Sequence, residues 1–149
     1  MKATYVHTNL VAEDWRRLAR FYQEVFGCEP VPPARDYRGG ELEAATGVKG
    51  AALQGMHLRL PGLGPDGPTL EIFQYEGPEQ RERPAINRPG FAHIAFAVED
   101  VAAARDEVIA AGGSDYGRLT VFETGDGRRV SMVYLADPEG NIIELQAWD

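Results

Sequence analysis

The sequence predicts an α+β fold built from two βαβββ modules, which together form a curved, half-barrel mixed sheet around one shared cavity. The chain repeats itself once, because residues 7–15 align without a gap on residues 93–101. Residues 70–72 then align, in the same order, on residues 143–145. Each half also begins with a period-2 apolar alternation, followed by a helical apolar stripe and by short segments between turn residues.

The first module, residues 1–76, opens with a predicted strand in which apolar and polar side chains alternate. Asp14 is suited to cap the helix that follows, and Gly27 supplies the left-handed residue that ends it. Residues 51–60 and 68–75 are the predicted strands that complete the module. The apolar stripe of the helix consists of Trp15, Leu18, Ala19, Tyr22, Val25 and Phe26.

The second module, residues 91–149, repeats this plan after a polar, proline-containing linker over residues 77–90. Its first strand covers residues 91–98, and Asp100 is suited to cap its helix. The helix has the apolar stripe Val101, Ala104, Val108 and Ala111. The later strands are predicted at residues 119–124, 130–136 and 142–147. We expect residues 1–149 to form a single domain.

Composition and charge exclude several classes of function. The net charge of −8 should repel phosphate backbones and anionic lipids, so neither nucleic acid nor a membrane surface is an expected partner. No apolar run approaches the roughly 20 residues that a membrane span needs. Cys28 is the only cysteine, which excludes an intrachain disulfide and a thiolate metal cluster. Patterned sequence begins at once, without a signal peptide, so the expected location is cytoplasmic.

Four polar residues occupy duplicated positions on the strand faces that point away from the helices. They are His7, Glu71, His93 and Glu144. Two carboxylates buried there without partners would cost several kcal/mol each, and a divalent cation between them removes that cost. Two imidazoles and two carboxylates, with water or substrate completing the shell, suit Zn²⁺, Ni²⁺, Co²⁺, Fe²⁺ or Mn²⁺. We therefore expect these four residues to bind one divalent metal ion.

Simpler interpretations exist for each residue taken alone. A single histidine on a strand is usually a hydrogen-bonded core or surface residue, and a single glutamate between aliphatic residues usually faces solvent. The pairwise duplication favours a metal site over both. His57 has no counterpart in the second half, so we interpret it as a pocket-wall or structural residue. Glu41 and Glu43 lie next to a loop expected to cover the site, and are either a free catalytic base or part of a solvated helical turn.

With their flanking residues, these positions resemble the vicinal oxygen chelate superfamily, also called the glyoxalase/bleomycin resistance/dioxygenase family. The resemblance covers nearly the whole chain, and its most specific motif is the closing segment 137–145, Asp-Pro-Glu-Gly-Asn-Ile-Ile-Glu-Leu. It implies a metal with open coordination positions and a small substrate that chelates it through adjacent oxygen atoms. Such a metal acidifies the C–H bond next to a bound carbonyl, and a carboxylate can then move the proton.

The four-ligand set is similar to those of the glyoxalase I and methylmalonyl-CoA epimerase branches, which implies proton transfer. The resemblance thus predicts a metal-dependent isomerase, epimerase or lyase acting on a small α-hydroxycarbonyl, 2-oxo or thioester compound, with Glu71 or Glu144 as base. Val11 and Tyr75 depart from the Arg and Asn of glutathione-using glyoxalase I, so glutathione is not implied as a substrate.

Two alternatives to this function stay open: an Fe²⁺ dioxygenase of the same fold, and a non-catalytic protein that sequesters an antibiotic or another small ligand. We also expect a homodimer. The sequence leaves open whether the metal site lies within one chain or is shared between two.

Overall fold

Two units make up the chain, Met1–Gln80 (unit 1) and Arg81–Asp149 (unit 2), and a computed structural model describes all 149 residues. The predicted α+β class is confirmed, because strands in two separate sheets are combined with three helices. Neither sheet closes into a barrel. None of the helices is both long enough and apolar enough to cross a lipid bilayer.

Unit 1 contains one four-stranded sheet and two helices. In chain order its elements are β1 (His7–Val11), α1 (Trp15–Phe26), β2 (Glu29–Arg38), α2 (Gly40–Thr46), β3 (Ala52–Arg59) and β4 (Thr69–Tyr75). The strand order across the sheet is β1-β4-β3-β2. β1 runs parallel to β4, and the other neighbouring strands are antiparallel.

Helix α1 forms where the sequence predicts it, because the capping residues at its two ends and the apolar face between them define the same segment. The Asp14 carboxylate accepts hydrogen bonds from the backbone N–H groups of Arg16 and Arg17, both at 3.1 Å. Gly27 ends the helix at φ 66°, a left-handed conformation that glycine adopts without a Cβ penalty. The helix packs on β3 and β4 through Trp15, Leu18, Ala19, Phe21 and Tyr22. Its position leaves the opposite face of the sheet free of α1.

Unit 2 repeats the plan with one change at the edge of its sheet. Its elements are β5 (His93–Ala97), α3 (Val101–Ala110), β6 (Ser114–Asp115), β7 (Thr120–Glu123), β8 (Arg129–Ala136) and β9 (Ile142–Trp148). The order β5-β9-β8 corresponds to β1-β4-β3 in unit 1, with β5 parallel to β9. β6 and β7 pair with opposite ends of β8, so two short strands occupy the place of β2.

Candidate metal centre

The register of the sheet in unit 1 brings its predicted ligands to one face. In the parallel pair of β1 and β4, His7 lies opposite Thr69, two residues before Glu71. Successive strand residues alternate between faces, so Glu71 projects on the same side as Thr69 and His7. The neighbours of Glu71 along β4, Leu70 and Ile72, are fully buried on the helix side. The predicted pairing of His7 with Glu71 is therefore present, with 3.6 Å between Nε2 and Oε2.

His57 joins this pair, although the sequence analysis did not place it there. β3 and β4 pair so that His57 lies directly opposite Glu71, with 2.8 Å between Nε2 and Oε1. The ligand atoms of His7, His57 and Glu71 all lie within 4.8 Å of one another. We call this set the unit 1 cluster. Asn9 adds a hydrogen bond from Nδ2 to Glu71 Oε2 at 2.8 Å, so both carboxylate oxygens have a close partner.

The unit 1 cluster is shielded unevenly from solvent. The side chains of Glu71 and His57 are 13% and 18% exposed, whereas that of His7 is 39% exposed. Burial lowers the pKa of His57; Glu71 opposes this effect, and the nearby charge of Arg35 adds to it. A neutral imidazole, the form that binds a metal, is therefore favoured at this position.

Unit 2 contains a second cluster at the equivalent positions of its own sheet. His93 lies opposite Ile142, two residues before Glu144, and its Nε2 atom lies 3.2 Å from Glu144 Oε2. Tyr134 on β8 lies opposite Glu144, in the place that His57 takes in unit 1. We call His93, Tyr134 and Glu144 the unit 2 cluster. Burial raises the pKa of Tyr134 to about 12, and the hydrogen bond to Glu144 adds to this, so the phenol donates to the carboxylate at neutral pH.

A buried turn fixes the start of β9 and therefore the position of Glu144. The Asp137 side chain accepts hydrogen bonds from the backbone N–H groups of Glu139 and Asn141, both at 2.9 Å, and from Asn141 Nδ2 at 2.6 Å. Asp137 is 2% exposed, so these bonds satisfy a carboxylate that would otherwise be costly to bury. The segment 137–145, which is the most specific motif of the sequence, thus positions the strand that carries Glu144.

The structure also locates the other candidates. Glu41 and Glu43 lie in the first turn of α2, which packs against β2 at the sheet edge farthest from β1. The predicted ligands are brought together in pairs, His7 with Glu71 and His93 with Glu144, each pair within its own unit. One ion bound by all four residues stays a prediction.

A separate groove in unit 2 does not involve these residues. It has a volume of about 860 Å³ and is bordered by α3 and the segment after β6. Arg105 in this groove is already paired with Asp115, with 2.6 Å between Nη2 and Oδ2. The chemistry of the clusters, rather than the size of this groove, therefore identifies the candidate site.

Comparisons with known proteins identify the family and the fold. The sequence profile of the Glyoxalase/Bleomycin resistance protein/Dioxygenase superfamily matches residues 4–145. No curated protein matches the sequence. Among solved structures, a glyoxalase family protein from Bacillus cereus is 16% identical, with a TM-score of 0.74 over 99% of this chain and 94% of that one.

Two further solved structures share the fold. A glyoxalase/bleomycin resistance protein/dioxygenase domain from Frankia is 18% identical, with a TM-score of 0.60 and complete coverage of both chains. A glyoxalase I variant from Zea mays is 17% identical, with a TM-score of 0.62 over 95% of this chain and 46% of that one. At these identities the structures support the fold alone, whereas the sequence profile identifies the family. The chain belongs to the glyoxalase/bleomycin resistance protein/dioxygenase superfamily.

Proposed function

We propose that the protein is a metal-dependent isomerase, epimerase or lyase that moves a proton next to a carbonyl group of a small, oxygen-chelating substrate. The proposed ligands are His7, Glu71, His93 and Glu144, binding Zn²⁺, Ni²⁺, Co²⁺, Fe²⁺ or Mn²⁺. The observation that carries the proposal is the repeated pairing of a histidine with a glutamate at the same register position of both sheets. Membership of a superfamily that includes glyoxalase I supports it.

The residues present fit a divalent metal. Both glutamates are largely shielded from solvent, with side chains 13% and 12% exposed, and an imidazole nitrogen lies close to each carboxylate. Imidazole nitrogens and carboxylate oxygens together suit the late first-row divalent ions. Shielded carboxylates are stabilised by a nearby cation, because the charge they carry is costly in a medium of low dielectric constant. When bound, such an ion would polarise the substrate carbonyl and acidify the neighbouring C–H bond.

The two glutamates are not equally free to act as a base. Glu71 accepts hydrogen bonds from Asn9 and lies against His57, each at 2.8 Å, so its carboxylate is held on two sides. The position corresponding to Asn9 in unit 2 is Ala95, opposite Glu144, and it has no donor. We therefore assign the proton transfer to Glu144, whose carboxylate accepts the substrate's α-proton, and a fixed ligand role to Glu71. Tyr134 orients the Glu144 carboxylate through its hydroxyl.

One observation favours a second function, the oxygen-using Fe²⁺ enzyme. His57 places a second imidazole beside His7 and Glu71. Two histidines and one carboxylate on a single face form the donor set of non-haem Fe²⁺ oxygenases. Oxygen consumption on substrate addition distinguishes this function from proton transfer, which uses no oxygen.

Metal content and proton exchange test the leading proposal. The protein is purified without chelator or added metal, and its bound metal is quantified by mass spectrometry. The loaded protein is then incubated in deuterated solvent with a panel of α-hydroxycarbonyl, 2-oxo and thioester compounds. We expect about one divalent ion per chain and metal-dependent deuterium incorporation at the α-carbon of at least one compound. A protein that binds the compounds but neither holds nor requires a metal would instead be a sequestering protein, and the proposal would be wrong.

We further propose a cytoplasmic homodimer. The outer strand β7 and its flank expose apolar side chains, with Leu119, Val121 and Phe122 between 42% and 51% exposed. Exposed apolar surface is one mark of a protein–protein interface. Light scattering on the purified protein should give twice the monomer mass, and Phe122→Lys should reduce it.

A further inference from the structure

The unit 1 cluster contains one more potential ligand than the proposed function uses. Three side chains from three different strands of one sheet, β1, β3 and β4, bring nitrogen and oxygen atoms within 4.8 Å of one another. Bonds of about 2.1 Å to one ion would separate neighbouring ligand atoms by roughly 3 to 3.5 Å. Glu71 Oε1 lies 2.8 Å from His57 Nε2, and Glu71 Oε2 lies 3.6 Å from His7 Nε2. Both separations lie close to this range.

We propose that His57 is a metal ligand, and that unit 1 binds a divalent ion through His7, His57 and Glu71 without any ligand from unit 2. The inference rests on the proposed function only in that the protein binds a divalent ion. Two imidazoles and one carboxylate leave open coordination positions for water, for substrate or for further protein ligands.

The second ring nitrogen of His57 supports the ligand role. Its Nδ1 atom lies 3.0 Å from Thr69 Oγ1 on the adjacent strand. A hydroxyl group can donate or accept, so Thr69 is compatible with either neutral tautomer of the ring. Without metal, Nε2–H can donate to Glu71 Oε1. With metal, the proton resides on Nδ1 and is donated to Thr69, which leaves the Nε2 lone pair for the ion. Metal-bound histidines almost always donate their second ring N–H to a hydrogen-bond acceptor, and the Thr69 hydroxyl can serve as one.

The surroundings of His57 restrict its side chain to the cluster. Its ring contacts that of His7 edge-on, with 5.5 Å between centroids, and that of Phe73, with 6.0 Å between centroids. Phe73 is 8% exposed and belongs to the packed part of the sheet. Contacts with two rings restrict the imidazole before an ion arrives, which reduces the entropy lost on binding. In unit 2 the same register position holds Tyr134. Its ring contacts that of His93 with 5.3 Å between centroids, but a phenol replaces the second imidazole.

The alternative role for His57 is to hold Glu71 in place, and Asn9 provides the matched control. Asn9 also donates to the Glu71 carboxylate at 2.8 Å, but it is not a candidate ligand in this proposal. His57→Phe and Asn9→Ala therefore remove one partner each from the same carboxylate. Zn²⁺ affinity of the full chain is measured by competition with a chromophoric chelator. Loss of an orienting partner costs about 10- to 100-fold in affinity, and we expect Asn9→Ala at or below the low end and His57→Phe beyond the high end.

A direct count of coordinated imidazoles completes the test. In the Co²⁺-loaded full chain, each ligating histidine gives a strongly shifted ring N–H proton signal. The His93→Ala variant should show two such signals, from His7 and His57, and His57→Phe in that background should remove one. One signal in the His93→Ala variant, or no Co²⁺ binding by it, would overturn the inference. The proposed function fails on a different result, namely a metal-loaded parent that exchanges no substrate proton.

Discussion

The unit 1 and unit 2 clusters are two copies of one arrangement that have diverged around a constant pair. In each copy a histidine on the parallel edge strand faces a glutamate on the adjacent strand, with 3.6 Å between the closest atoms in unit 1 and 3.2 Å in unit 2. The side chain opposite the glutamate differs, being His57 in one and Tyr134 in the other. The edge-strand residue opposite the glutamate also differs. In unit 1 its side chain donates a hydrogen bond to the carboxylate, and in unit 2 it has no side-chain donor.

We expect this difference to divide the two proposed roles, with Glu71 as a metal ligand and Glu144 as the base. A carboxylate fixed by an amide and an imidazole keeps its orientation and its negative charge, which suits a permanent ligand. Glu144 has one phenol in addition to its paired histidine, so its carboxylate has fewer fixed partners and is freer to rotate away and accept a proton. The duplicated fold therefore offers one rigid and one adaptable glutamate. A variant that fixes Glu144 should lower turnover, whereas a variant that frees Glu71 should weaken metal binding.

The largest expected effect comes from Glu144→Gln. Removing the proposed base should keep the fold and most of the bound metal, yet reduce turnover by about 10²- to 10⁴-fold. Exchange of the substrate α-proton with deuterated solvent should fall by the same factor. Glu71→Gln should act mainly on metal affinity, so that added Zn²⁺ restores part of its activity. Kinetics at limiting and saturating metal separate the two outcomes.

The reverse pattern would exchange the two roles. If Glu71→Gln abolished proton exchange with metal bound while Glu144→Gln remained active, Glu71 would be the base. If both variants bound metal and exchanged the proton at the parent rate, neither glutamate would be the base. Glu41 and Glu43 on α2 would then be the next positions to change.

A smaller effect is expected from giving the adaptable glutamate the partner of the rigid one. Ala95 lies opposite Glu144 as Asn9 lies opposite Glu71, so Ala95→Asn should donate an amide hydrogen bond to Glu144. A bond to a charged group contributes about 1.5–3 kcal/mol, and it lowers the basicity and mobility of the carboxylate. We expect turnover about tenfold lower, equivalent to ~1.4 kcal/mol, with unchanged or tighter metal binding.

The matched change in unit 1 is Asn9→Ala, which should weaken metal binding and leave turnover at saturating metal close to the parent value. Measuring kcat and metal affinity for both variants distinguishes an effect on turnover from an effect on metal binding. Equal losses of turnover in the two variants would show that the glutamates do not have different roles.

The constant pairs could be found in the sequence because strand alternation is local. The alternation around His7 and His93 assigns a face to each histidine, and the flanks of Glu71 and Glu144 do the same for the glutamates. His57 could not be placed in this way. Its strand reads Ala-Leu-Gln-Gly-Met-His-Leu-Arg, in which Gly55 interrupts the alternation, and its partner is set by the register with β4. The register between β3 and β4 is set by the folded sheet, so it could not be read from the residues of β3 alone.

The fold shows the same limit at β2. The sequence analysis names no strand at Glu29–Arg38, a segment whose three prolines are atypical of an interior strand. In the structure β2 is the edge strand, where a missing N–H group is tolerated, and its pairing with β3 shifts between Val31 and Arg35 around Pro32 and Pro33. Edge position depends on the order of the strands, which local composition does not encode.

The smallest expected effect concerns the two equivalent helix caps, Asp14 and Asp100, each of which accepts two backbone N–H bonds. Alanine at either position should destabilise the protein by about 0.5–2 kcal/mol, measured by urea denaturation. When a cap is lost, the first turn of the helix can unwind so that water satisfies its backbone N–H groups. Unwinding would expose Trp15 and Leu18 in α1 but only Val101 in α3. Asp14→Ala should therefore cost more than Asp100→Ala. Asparagine caps as well as aspartate, so an equal loss in the asparagine variants would assign the effect to charge instead.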